Sequence, residues 1–138
     1  VAIQEFKDGM LLIADEVGNG KIDEPFSSEN LLFEESRFSA NSKADFANNM
    51  RSIQNIYLGG VNGSTGPGLS SIVKEKNNAL DAELKTAISE AINAIEAIPG
   101  TFSDAVFNNK VAVSNAQDKV KTLETLIKSK LEPLINSL

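Results

Sequence analysis

The sequence predicts an all-α fold, a bundle of about four main helices with a long ordered loop, spanning 1–138 as a single domain. Three observations carry this. Apolar residues recur at helical spacing in four stretches. Strand candidates, with strict alternation between turn signals, are missing. Hydrophobic residues make up 41% of the chain and charged ones 23%, enough apolar surface for a core.

The first stretch, 2–17, places Ile3, Phe6, Met10, Ile13 and Val17 on one stripe. Gly9 within it leaves room for close packing. Gly18, Asn19 and Gly20 predict the stop, because glycine commonly takes the left-handed conformation that closes a helix. Residues 21–41 lack a sustained period. They predict a long connection with a short helix around 28–34, anchored by Phe26, Leu31, Leu32, Phe33 and Phe38.

A second helix, roughly 43–58, opens with Ser42 and Asp45 in capping-box spacing and carries Phe46, Met50, Ile53 and Tyr57. It ends at the segment 59–68, which holds five of the nine glycines. Leu69 to Val73 predict one or two helical turns. The third helix is the clearest: from Asn77 to Ile98, Leu80, Leu84, Ile88, Ile92 and Ile95 trace a stripe free of Gly and Pro. Pro99 and Gly100 end it. The fourth, about 103–136, carries Val106, Val113, Val120, Ile127, Leu131 and Leu134. A bend or break is expected at Asn108–Lys110, and Pro133 should fray or kink the last turns. The charged residues of the third helix (Asp81, Glu83, Glu90, Glu96, Lys76, Lys85) and fourth helix (Lys119, Lys121, Glu124, Lys128, Lys130) read as solvated faces.

Composition narrows function. The formal charge is −6, with no basic stripe, which argues against a nucleic-acid partner. Nothing is long and apolar enough to be a transmembrane segment. With no cysteine and no histidine, the chain cannot complete a Ser-His-Asp triad, an HExxH zinc site or a thiolate metal site.

Two motif-like stretches fail on their own chemistry. Asp15, Asn19, Gly20, Ile22 and Asp23 fit five positions of a calcium loop. Val17 and Phe26, however, stand where an oxygen ligand and the bidentate glutamate are needed, so a helix cap followed by a turn is expected. The glycine segment 59–68 has no lysine in P-loop register and reads as an interhelical turn. The densest polar cluster runs from Glu34 through Glu35, Ser36, Arg37, Ser39, Asn41 and Ser42 to Asp45, Asn48, Asn49 and Arg51. It gathers carboxylates, amides and a guanidinium at the mouth of the second helix, and Asp45 and Asn49, four apart, share a face. Such a cluster either caps the helix and anchors the loop or holds a polar ligand or metal.

Four stretches in order, IADEVGNGKIDEPF (13–26), ESRFSANSKADFANNMRSIQNIYLG (35–59), GLSSIVKEKNNALDAELKTAI (68–88) and INAIEAIPGTF (92–102), resemble the C-terminal half of an imelysin-like protein, the group once classed as M75 peptidases. The resemblance implies one half of a two-domain helical protein, exported to the periplasm or outer membrane, with a lipid anchor, where present, on the missing N-terminus. It implies a ligand- or partner-binding role in iron or haem acquisition at the cell envelope. The partners would be the N-terminal half of the same protein and another cell-envelope protein. Iron or haem would enter only together with the missing half, which in this family carries a GxHxxE motif. The ligand-binding positions it marks here are Glu35, Ser36, Arg37, Ser39, Asn41, Asp45 and Asn49. Ala40 departs from the pattern, since many relatives have histidine there. Two alternatives stand beside it: a metallopeptidase-like hydrolase whose histidines lie in the missing half, and a structural or protein-interaction bundle.

Overall fold

The computed structural model describes residues 2–30, 41–60 and 68–138. The described residues are helices joined by turns, with no strand among them. The expected helix around 28–34 falls mostly outside them, as do the anchors Leu31, Leu32, Phe33 and Phe38 and most of the glycine segment.

The first helix, α1 (Ala2–Asp15), does not end at the glycines. It widens into a π-helical turn over Glu16–Ile22 and continues as α2 (Asp23–Ser28). The expected stop and turn at 18–20 is therefore corrected. Local contacts explain it: Gly18 lies against Val120, where a β-carbon would come within 3.1 Å of that residue's Cγ1. Asn19 donates to Asp15 at 2.7 Å and to Glu124 at 3.1 Å. The helix ends at Glu29, which is left-handed with φ 52°.

Helix α3 spans Ser42–Leu58, preceded by Asn41 and closed by Gly59, whose φ of 71° lies in the left-handed region that favours glycine. Ser42 is thus the first helical residue and fully buried rather than the capping residue that the spacing suggested. A β-carbon on Gly68 would come within 2.5 Å of the Gly59 nitrogen, so the two ends of the glycine segment meet backbone to backbone. Helix α4 (Leu69–Lys76) leads into α5 (Asn78–Glu96), which Asn77 caps by accepting from the Leu80 amide at 3.1 Å.

Thr101 caps α6 (Phe102–Asn108) in the same way. The chain breaks at Asn109, within the expected interval, and continues as α7 (Lys110–Leu126). A second π turn (Ile127–Leu131) precedes α8 (Glu132–Asn136), in whose first turn Pro133 sits. The proline does not fray the end. A widened turn ahead of it accommodates the ring and the lost amide donor.

Ties between helices fix the topology. Lys43 at the start of α3 donates to the carbonyls of Ile98 and Gly100 beyond the end of α5, at 2.9 and 2.8 Å. Lys130 reaches Glu83 at 2.9 Å and Lys119 reaches Glu90, so α5 and α7 also run antiparallel. Gln4 bonds Asn136 at 2.8 Å, while Gln117 bonds Asp23 at 2.6 Å. The result is an up-down-up-down arrangement of α1–α2, α3, α5 and α7.

One apolar core runs through it, with Met10, Phe46, Met50, Ile53, Tyr57, Leu84, Ile95, Val120 and Leu123 among its fully buried members. Phe46 meets Phe102 edge to face, centroids 5.1 Å apart.

Candidate functional site

The described part of the expected site lies on α3. Asn41, Asp45 and Asn49 follow at four-residue intervals, which places them along one flank of the helix. The Asn41 Nδ2 donates to Asp45 Oδ1 at 3.3 Å. Asn49 differs from its neighbours, because its Nδ2 is buried and has no hydrogen-bond partner among the described residues. A buried amide left this way costs about 1–3 kcal/mol, so it is uncommon unless something else supplies the acceptor. Glu35, Ser36, Arg37 and Ser39 lie outside the described residues.

Other members of the polar cluster turn elsewhere. Lys43 is held by the α5 C-terminus, as described above. Arg51 pairs with Glu96 of α5 and with Asn48 on its own helix. These contacts fasten α3 to α5.

Two buried carboxylates were missed. Asp81, expected on a solvated face, is 3% exposed. Its Oδ1 accepts from Tyr57 Oη at 2.8 Å and Ser70 Oγ at 2.6 Å, and its Oδ2 from Lys85 Nζ at 2.8 Å. Burial pushes the carboxyl pKa up, but the hydrogen bonds from Lys85, Ser70 and Tyr57 outweigh it and hold it below the usual value. Burial, then the bond to Asp81, raises the Tyr57 phenol. Glu124, also expected in solvent, is buried between Asn19 and Lys128. Lys128 is raised by its hydrogen bond to Glu124. Hydrogen bonds from Gln117 and then Ser27 lower Asp23.

The signal for both was present. Asp81 precedes Leu84 by three and Ile88 by seven, and Glu124 follows Val120 by four and precedes Ile127 by three, so each stands on its helix's apolar stripe. These carboxylates join helices together and are fully engaged in doing so.

Asp15, Asn19 and Asp23 lie along continuous helix rather than in a calcium loop, and the described residues hold no group of His, Cys, Asp and Glu suited to a metal ion. An open groove of 860 Å³ between α5 and α7 is lined by residues such as Ala82, Thr86, Thr122 and Leu126, away from the α3 flank. No described helix is long and apolar enough to cross a membrane.

Fold and site together define an all-helical up-and-down bundle with a polar flank on α3. The Imelysin family model (peptidase M75) matches residues 1–130, and the chain belongs to that family. It is similar to the crystal structure of an imelysin peptidase from Bacteroides ovatus, with 33% identity and a TM-score of 0.87 over 96% of this chain and 40% of that one. It is also similar to a structure described as an iron-regulated protein A precursor from Parabacteroides distasonis, with 28% identity and a TM-score of 0.80 over 86% of this chain and 36% of that one. The chain thus spans about two fifths of the length of these solved relatives. No curated protein matches it.

Proposed function

We propose that this chain is the C-terminal helical part of an exported imelysin-like protein of the bacterial periplasm or outer membrane, which binds a ligand or partner in iron or haem acquisition. Its share of the site is the α3 flank with Asn41, Asp45 and Asn49, together with Glu35, Ser36, Arg37 and Ser39. The unpartnered, buried Asn49 Nδ2 carries the site assignment, since it calls for an acceptor that this chain's described residues do not supply. Family membership supports the class of protein. The iron-regulated name of one relative supports the iron connection, and its designation as a precursor supports export. The lengths of both relatives support a missing part that completes the site.

The described residues alone do not fit iron or haem. The flank offers one carboxylate and two amides, and the chain has no histidine or cysteine. Metal or haem ligation would therefore fall to the remaining part of the protein, with Asn49 and Asp45 positioning the bound group. The metallopeptidase alternative needs histidines from the same missing part.

The test is titration of the longer protein with ferric iron and with haem. Binding of either, weakened about tenfold by Asn49→Leu with folding intact, is the expected result, as for loss of one buried hydrogen bond. A longer protein that takes up neither overturns the iron reading, and binding indifferent to Asn49 and Asp45 substitutions removes the site from α3.

A further inference from the structure

The least explained surface lies where α2, α6 and α7 meet. Val111, in the first turn of α7, is 85% exposed, and Phe107, near the end of α6, is 43% exposed. Phe26 of α2 and Val111 line one hollow of 460 Å³, and Phe107 and Val111 line another of 720 Å³. Three apolar side chains thus flank the break at Asn109. Their polar surroundings are mostly neutral: Asn108, Asn109, Ser114 and Asn115. Lys110 is paired with Glu29, and Asp118 lies on the rim of the smaller hollow. In a chain with 23% charged residues, an apolar patch ringed by amides has the composition of a buried interface core.

We propose that this corner is the surface on which the remainder of the longer imelysin-family chain docks. The proposal rests on the reading above that the chain is part of a longer protein. In both solved relatives more than half of the chain lies outside the matched segment, so a bundle of this kind is accompanied by a larger body of protein. A neutral apolar patch suits a lasting contact within one chain better than a charge-steered encounter. A second copy is the poorer occupant, because each copy carries a net charge of −6 with no basic patch to offset it.

The corner also lies at the same end of the bundle as the candidate site. Lys43 and Phe46 of α3 contact Gly100 and Phe102, at the entry to α6, and Glu29 joins α2 to Lys110. A domain seated on Phe107 and Val111 would stand next to the mouth of α3, where its groups could complete the site.

Thiol labelling of the longer protein tests this. Val111→Cys and, as a control in the open α5–α7 groove, Thr125→Cys are introduced separately and labelled with maleimide, with peptide mass mapping to read the site. Residue 111 is exposed among the described residues of this bundle, so its protection has to come from protein beyond them. The expected result is labelling of Cys at 111 slowed about tenfold or more relative to the denatured protein, at every protein concentration, while position 125 labels freely. Free labelling at 111 overturns the proposal, whether or not position 125 is protected. Protection that disappears on dilution overturns it too, in favour of a second copy. Iron and haem binding are measured on the same samples. Protection without binding leaves the docking surface standing and removes the iron reading, and binding without protection does the reverse.

Discussion

Asp81 shows how much a single side chain can depend on the stripe it stands in. By residue type it belongs in solvent, and the Asp81–Lys85 spacing is that of an ordinary surface pair. Its position among Leu80, Leu84 and Ile88 instead carries it under α3 and α4, where Tyr57 and Ser70 share one of its oxygens. Asp81→Asn removes the charge that binds Lys85 and leaves the Tyr57 and Ser70 donors a weaker acceptor, so a loss of about 1–3 kcal/mol in urea unfolding is expected. The pH dependence follows from the same contacts. A carboxyl held below its ordinary value of 3.8 contributes stability that is complete above that value and is lost as pH falls through its folded pKa. Asp23, also lowered, acts in the same direction. The wild-type urea midpoint should therefore be insensitive to these two groups near neutral pH and drop in the acid range below about pH 4. In Asp81→Asn that acid drop should be shallower, and an equal drop in both proteins would show that the Asp81 carboxylate contributes nothing on titration.

At the scale of helices, the sequence was most legible where apolar period and capping residues agree. In α5, Asn77 bonds the Leu80 amide and the stripe runs without Gly or Pro to Glu96. The break at Asn109 was legible as a polar interruption. The glycines at 18–20 were misleading because glycine marks two different things, a left-handed turn or a close approach of backbone to a neighbour. Only the tertiary partner decides which, and here Val120 does. The three glycines of α1 and its π turn should accordingly respond in opposite directions to alanine. A β-carbon at Gly20 meets nothing within 4 Å and one at Gly9 only Ile56 Cδ1 at 4.0 Å, so Gly20→Ala and Gly9→Ala should each stabilise by about 0.4–1 kcal/mol. At Gly18 the added methyl presses on Val120, and Gly18→Ala should destabilise by about 1–3 kcal/mol. Thermal unfolding of the three variants separates the cases by sign, and a stabilised Gly18→Ala would show that Val120 yields to the added methyl.

For the molecule as a whole, the bundle was readable because each long helix shows one apolar stripe to a common centre, and four such stripes can be buried together in few ways. The candidate site was readable only in part. A row of Asn41, Asp45 and Asn49 is visible as four-residue spacing, but an unpartnered amide is a property of what surrounds it and leaves no trace in sequence. The same distinction sets the expected pattern of core substitutions. Leu84 and Ile95 are fully buried, Ile88 is 1% exposed and Ile92, nearer the bundle's edge, 7%. Truncation of each to alanine should cost about 2–5 kcal/mol, by lost burial and by the cavity left behind. Ile92→Ala should fall at the low end, since its site opens toward solvent and can relax. Because α5 contacts both α3 and α7, loosening it should be felt beyond its own length. In native-state hydrogen exchange, Leu84→Ala should lower protection in α3 and α7 as well as α5, by about the same free energy as the urea measurement reports. Loss confined to α5 would mean that the helices hold together pairwise and that the shared core is not the cooperative unit of this fold.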